Sequence, residues 1–313
     1  MKFYTDEEII RHYKMKDAIH DVTQGLDALN NNLIKVKERT VINAEEDNVM
    51  LYMPAINLQK QFSAIKVISI FPDNPAYNLP TSQGVTLLTE LATGKSIATL
   101  EASYLTRLRT GAMTGIATNK LARRDAHVLG VIGTGGMAFE QVLGVLEVRK
   151  IDKILLFNRT EQKVHQFKEK LVEFGVTAEI EIVSDVDTLT KQADIINCAT
   201  KSEQNVYQHM HLRAGAHVNG VGSYLPHMRE IDIDTIEQAA VIAIDDVAGA
   251  EHEAGEFIHA SHAGRFNFSE AIELKDLINM DITREDTDFT VFKSVGAAYY
   301  DLFVAIGAYE KLK

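Results

Sequence analysis

The sequence predicts an α/β protein in which a Rossmann-type doubly wound domain is joined to a smaller α+β domain. Three observations carry that expectation. From His127 onward, apolar runs of strand length alternate with helical patterns: VLGVI, FEQVLGVLEV, KILLF, VHQFKEKLVEF, AEIEIV, ADIINCA, HVNGVG and VIAID. The first of these strands, VLGVI, runs into a glycine-rich turn and a helix. The residues before His127 lack that alternation and carry short runs separated by Pro, Asn and Gly, which predicts an antiparallel sheet.

In chain order, Thr5 with Glu8 forms the pattern of a capping box for a short first helix, and residues 17–29 have the apolar spacing of a second. NVMLYMP, FSAIKVISIF, GVTLLTEL and KSIATLEA are the four sheet runs. Residues 104–123 return to helix, rich in Ala, Gly and Thr, and are expected to pack closely and join the domains. Residues 289–313 have Val291, Val295, Ala298, Leu302 and Ile306 at spacings of three or four, which predicts a closing helix that returns to the first domain. The expected division is 1–115 plus about 296–313 for one domain and 116–295 for the other.

In the glycine turn, Gly133, Gly135 and Ala138 fall at the G-x-G-x-x-[GA] spacing. Gly133 permits the tight turn, Gly135 lets backbone approach a pyrophosphate, and Ala138 lets the helix pack on the strand. The turn as a whole, Gly133, Thr134, Gly135, Gly136 and Met137, is therefore the expected dinucleotide-phosphate site, at a helix N-terminus that favours anions. About 20 residues beyond the turn, where an NAD enzyme carries an acid for the ribose 2′-hydroxyl, the chain reads Asn158, Arg159 and Thr160. Without an acid to repel a 2′-phosphate, and with Arg159 to pair with it, Asn158 to hydrogen-bond it and Thr160 to cap the next helix beside it, NADP(H) is expected in preference to NAD(H).

Composition narrows the partners. Of 313 residues, 46 % are hydrophobic and 24 % charged, as in an ordinary globular protein, and the formal charge of −12 disfavours nucleic acid and anionic membranes. The lone cysteine, Cys198, cannot form an internal disulfide and reads as a small core residue of a protein in a reducing, cytoplasmic compartment. The N-terminus lacks the pattern of a signal or transit peptide. The cluster EHEAGEFIHASH, with Glu251, His252, Glu253, Glu256, His259 and His262, matches no zinc signature and reads as a solvated acidic helix; no metal is expected.

Six motifs in order, YMPA (52–55), IKVISIFPDNP (65–75), TRLRTGAMTGIAT (106–118), GTGGMA (133–138), GAHVNGVGSYLPHMREID (215–232) and VFKSVGAAYYDL (291–302), resemble the ornithine cyclodeaminase/mu-crystallin family over nearly the whole chain. The resemblance implies a homodimer paired through the smaller domain, which would also bind substrate, with a nicotinamide cofactor on the Rossmann domain and a small anionic amino or imino acid as substrate. Carried over position by position, Arg39, Lys66 and Arg109 match the family's carboxylate-gripping residues, with Lys66 also the candidate catalytic group. Thr110, Thr200, Asn219 and Ser294 are weaker candidates for cofactor contacts.

Two departures bear on the reaction. Where the cyclodeaminases carry a catalytic Asp, this chain has Tyr224, between Ser223 and Leu225, and where they carry an amine-contacting Glu it has Leu51. Cyclodeamination needs a base for the substrate amine, and a phenol with an ordinary pKa near 10 is a poor one. The expected activity is therefore NAD(P)H-dependent reduction of a cyclic imino acid, as in the ketimine reductase-like branch. The alternatives are a cyclodeaminase-like or alanine dehydrogenase-like enzyme of the same family, and an NADP-dependent binding protein with little turnover.

Overall fold

The computed structural model describes residues 1–45 and 47–313. The chain divides into two compact units, Met1–Arg109 with Ala297–Lys313 and Thr110–Gly296.

The first unit opens with β1 (Lys2–Tyr4) and α1 (Asp6–His12), where Thr5 and Glu8 close the capping box. There follow α2 (Met15–Asn30), β2 (Ile34–Val36), β3 (Thr40–Asn43), β4 (Val49–Asn57), β5 (Phe62–Ile70), β6 (Ser82–Glu90), β7 (Ser96–Glu101) and α3 (Ser103–Leu121). Residues of α3 up to Arg109 belong to this unit, and the rest of the helix to the second. Among the described residues the sheet has seven strands in the order β1-β7-β6-β5-β4-β2, with β3 also on β4. The four runs read from the sequence pair antiparallel as expected. The sheet is nonetheless mixed, because the N-terminal segment adds β1 parallel to β7. One face is buried through alternate residues: Met53, Ala55 and Asn57 on β4, Ala64, Lys66 and Ile68 on β5, Thr86 and Leu88 on β6.

In the second unit come β8 (Val128–Ile132), α4 (Ala138–Val148), β9 (Lys153–Phe157), α5 (Glu161–Phe174), β10 (Glu179–Ile182), α6 (Val186–Gln192), β11 (Ile195–Cys198), β12 (His217–Gly220), α7 (Ile233–Gln238), β13 (Ala239–Ile244), α8 (Val247–Glu253), α9 (Gly255–His262), β14 (Ile272–Glu273), α10 (Leu274–Leu277) and β15 (Phe289–Lys293). The strands form a parallel sheet of eight, among the described residues, in the order β10-β9-β8-β11-β12-β15-β13-β14. Both faces are covered. Leu129, Val131, Ile154, Leu156 and Ile195 pack with α4 and α5, while Ile132, Leu155, Ile196, Cys198, Val218 and Val291 pack on the other side. The order reverses beside β8, which places the glycine turn at the switch point where doubly wound sheets bind ligands.

The chain then returns to the first unit as α11 (Ala298–Leu312). The expected closing helix is thus only partly a helix. Phe289–Lys293 is a strand between β12 and β13, as its β-branched and aromatic content favours in a fully buried position, and Gly296, at φ +83°, precedes the helix.

Small residues let α3 and α4 approach closely within the second unit. A Cβ on Gly144 would run into the Gly111 carbonyl oxygen and lie 3.3 Å from the Gly115 nitrogen. Arg149 then fastens the end of α3, its guanidinium donating to the carbonyls of Thr118, Asn119, Ala122 and Arg123.

Candidate functional site

The glycine turn is shaped for a phosphate-bearing ligand. Gly133 has φ +90°, and a Cβ there would lie 2.7 Å from Thr200 Cγ2 and 2.8 Å from the Ala199 carbonyl oxygen. Only glycine fits. Beyond it the space opens: a Cβ on Gly136 would meet nothing, and one on Gly135 only the Ala199 oxygen at 4.0 Å. The Thr134 hydroxyl is buried without a hydrogen-bond partner. An orphaned hydroxyl in an open glycine turn, at the N-cap of α4 where Met137 supplies no side-chain cap, fits a dinucleotide pyrophosphate.

At the end of β9 the expected division of labour changes. The Asn158 amide braces the turn, accepting from the Thr134 N–H at 3.2 Å and donating to the Thr160 carbonyl at 3.0 Å. Thr160 is the N-cap residue of α5 by position, yet its hydroxyl makes no capping bond. Arg159 and Thr160 are both exposed. Arg159 and Thr160 are therefore the exposed groups at this strand end, while Asn158 has a structural task.

Around the loops after β11 and β12 lies a buried ionic network that the sequence did not disclose. Glu230, fully buried, accepts from the N–H groups of Thr200, Gly222 (2.6 Å) and Ser223 (3.0 Å). Burial pushes its carboxyl up, while Lys293 and the Thr200 N–H pull it down. Lys293, at the end of β15, pairs with Glu256 at 2.9 Å and donates to the Ser223 carbonyl (2.7 Å) and hydroxyl; the Ser223 hydroxyl in turn donates to Glu256 at 2.9 Å. Glu256 overturns the reading of EHEAGEFIHASH as one solvated acidic helix. The segment is two short helices whose Glu251, His252, His259 and His262 are exposed, whereas Glu256 is only 1 % exposed because a buried lysine awaits it. Among the described residues no group of three or more His, Cys, Asp or Glu is placed to hold a metal ion. Lys293 carries a signal that could have been read, a charge inside an otherwise apolar run, whereas Glu256 stands among other acids and histidines.

Two candidate cofactor contacts are committed elsewhere. Asn219 sits inside the sheet, donating to Thr118 Oγ1 at 3.1 Å and Asn197 Oδ1 at 2.9 Å and accepting from His217 at 3.0 Å. Burial drives the His217 imidazole down to about 3, so the ring is neutral. The Ser294 hydroxyl donates to Asp245 at 2.7 Å, and the same carboxylate collects the N–H groups of Val295 and Gly296. Both side chains make these hydrogen bonds within the fold. Thr200 flanks the glycine turn, its hydroxyl accepting from the Ser202 N–H at 3.3 Å, and Thr110 is buried on α3. Cys198 is a buried free thiol, pushed up by burial, as its reading as a core residue requires.

The first unit holds the cationic group. Lys66 lies on the buried face of its sheet, opposite Met53 on β4 and Thr86 on β6, and is 3 % exposed. Its Nζ is 2.7 Å from Asp301 Oδ2, on α11, and Asp301 Oδ1 is 3.4 Å from Arg109 Nε. Burial, with repulsion from Arg109 and Arg39, lowers the Lys66 ammonium to about 8 against the attraction of Asp301. The structure thus gathers Lys66, Arg109 and Arg39, the three residues expected to grip a carboxylate. It also supplies an acid that the sequence reading missed. Leu51, on the same strand face as Met53, is apolar, and Tyr224 is partly buried with its phenol raised by desolvation, so neither replaces the cyclodeaminase acids.

A model of the ornithine cyclodeaminase/mu-crystallin family matches residues 1–313. A Delta(1)-pyrroline-2-carboxylate reductase from Bacillus cereus is 36 % identical over 272 residues, covering 86 % of this chain and 83 % of that protein. The structure of Thermococcus litoralis Delta(1)-pyrroline-2-carboxylate reductase in complex with NADH and L-proline superimposes with a TM-score of 0.94 at 31 % identity, covering 99 % of this chain and 97 % of that one. An archaeal alanine dehydrogenase dimer with bound NAD gives 0.90 at 26 % identity, covering 99 % and 95 %.

Proposed function

The chain belongs to the ornithine cyclodeaminase/mu-crystallin family, and we propose that it reduces a small cyclic imino acid of the Delta(1)-pyrroline-2-carboxylate kind to the cyclic amino acid. It is an NAD(P)-dependent oxidoreductase acting on a C=N bond. The observation that carries this reading is the pairing of Lys66 and Arg109 with Asp301, with Arg39 near enough to repel the Lys66 ammonium. Two cations, Lys66 and Arg109, meet the single carboxylate of Asp301, and the positive charge left over matches a monocarboxylate.

When bound, the reduced nicotinamide supplies the hydride that the imine carbon accepts. The Gly133–Met137 turn holds the cofactor's pyrophosphate through backbone N–H groups and the Thr134 hydroxyl. Arg109, Arg39 and Lys66 hold the substrate carboxylate, and fixing it in one orientation removes much of the entropic barrier. Lys66 Nζ carries the proton that the substrate nitrogen needs as the C=N electron pair moves onto it.

Three finer readings go with this. NADP(H) is preferred over NAD(H), supported by exposed Arg159 and the uncommitted Thr160 hydroxyl where no acid stands. The protein is a homodimer, supported by the exposed apolar residues Val36, Val41 and Ile42 on β2 and β3. It works in the cytoplasm, supported by the free thiol of Cys198; among the described residues no helix is long and apolar enough to cross a membrane.

The test is oxidation of NADPH and of NADH with pyrroline-2-carboxylate and piperideine-2-carboxylate, run beside ammonia release from ornithine. Cofactor oxidation dependent on the imino acid supports the reading. Ammonia release without net cofactor consumption overturns it.

A further inference from the structure

Asp301 is the least expected charge in the molecule. It lies near the start of α11 among Tyr300, Leu302 and Phe303, all buried, and is itself 4 % exposed. A carboxylate in such surroundings is costly unless it is paired, and its position near a helix N-terminus offsets only part of that cost. Its two oxygens turn to different cations: Oδ2 to Lys66 Nζ at 2.7 Å, Oδ1 to Arg109 Nε at 3.4 Å.

The side on which it meets Arg109 matters. The contact falls at Nε, as an ion pair without a hydrogen bond, and not at the terminal Nη pair. That planar pair is what a substrate carboxylate uses for a two-point bond. Asp301 therefore orients the guanidinium without occupying its substrate edge, while its other oxygen fixes the direction of the Lys66 ammonium.

We propose that Asp301 is a positioning residue for the reduction: it holds Lys66 as the proton donor to the substrate nitrogen and Arg109 as the carboxylate clamp, acting through both and touching neither reactant. This rests on the functional reading above. In the step it serves, the imine carbon takes the hydride and the C=N π pair settles on nitrogen. A proton leaves Lys66 Nζ for that nitrogen, so that the C=N bond is reduced, the nicotinamide is oxidised and Lys66 is left neutral until water returns its proton.

The charged groups facing Lys66 support this. From α11 comes Asp301, from α3 Arg109, and from the segment before β3 Arg39, while its strand neighbours Met53 and Thr86 carry no charge. Among these groups Asp301 alone favours the ammonium. Without it two guanidinium groups and burial act together against the proton.

The experiment follows the Lys66 side chain by NMR in protein with isotope-labelled lysine, assigned with Lys66→Arg, alongside pH profiles of imine reduction. In the wild type Lys66 is expected to lose its proton near pH 8, since burial lowers it to about 8. In Asp301→Asn the titration is expected to move down by at least about one unit, because a paired opposite charge is worth that much, and the alkaline limb of kcat/KM follows it. The kcat falls while KM for the imino acid stays level or drops, since the clamp becomes more positive. Asp301→Glu keeps the charge but moves the carboxylate, so it keeps the alkaline limb and lowers kcat; this variant carries the test if Asp301→Asn does not fold. An unmoved Lys66 titration in Asp301→Asn, or an unchanged kcat in either variant, overturns the role of Asp301. Absence of imine reduction in the wild type overturns the functional reading, and the donor role with it, whatever the NMR shows.

Discussion

Lys293 and Glu256 face each other at 2.9 Å with 0 % and 1 % exposure, so the end of the central strand β15 is tied to α9 by a dry ion pair. Breaking one half strands the other charge in the core. Glu256→Gln or Lys293→Met alone is expected to cost about 3–5 kcal/mol, whereas Lys293→Met with Glu256→Leu recovers much of it. Urea unfolding of the three variants checks this.

Lys66→Met removes both a carboxylate contact and the proton. Turnover is expected to fall by about 10²–10⁴, with cofactor affinity unchanged. Cofactor titration followed by fluorescence separates this outcome from general misfolding.

Wild-type activity is expected to need the protonated lysine. Because burial lowers the Lys66 ammonium to about 8, kcat/KM should hold steady below that pH and decline above it. A profile that rises through the same range would mean that Lys66 acts as a base.

Arg159→Ala tests the cofactor preference. Loss of one charge-assisted bond to the 2′-phosphate, about 1.5–3 kcal/mol, raises KM for NADPH by at least roughly tenfold and leaves NADH unaffected. Equal loss with both cofactors would remove the case for NADP(H).

His217 sets an acid limit on stability. Its folded-state pKa is depressed from 6.5 to about 3, chiefly by burial. The unfolded chain therefore binds a proton in that window that the native chain does not, and stability present above pH 6.5 is lost as the pH falls towards 3. Urea midpoints measured against pH should slope in that direction, and the slope should flatten in His217→Gln.

Much of this was legible in the sequence, and the reasons differ by residue. The strand, glycine turn and helix from Val128 to Val148 were readable because period and turn chemistry are local properties. Lys66 stood out as a charge in an apolar strand. Its partner did not, because residues 66 and 301 meet only through the tertiary fold. Glu256 was misread for the same cause: a helical run with acids and histidines looks solvated until a lysine from a distant strand enters its face. Phe289–Lys293 had apolar residues at helical spacing as well as strand content, and the sheet position between β12 and β13 decided it. The Asn219 and Ser294 side chains were polar for the core's sake.

The division of the chain makes its two units unequal in what they need from its last residues. Thr110–Gly296 is contiguous in the chain, whereas the first unit needs Ala297–Lys313, from beyond it, to close its core. Without that final helix, Lys66 and Arg109 have no counter-ion and the face around Leu88 and Ala64 has no cover. A chain deprived of that helix therefore keeps the contiguous nucleotide-type unit but bares a sticky sheet face, the kind of product that chaperones hold and proteases cut.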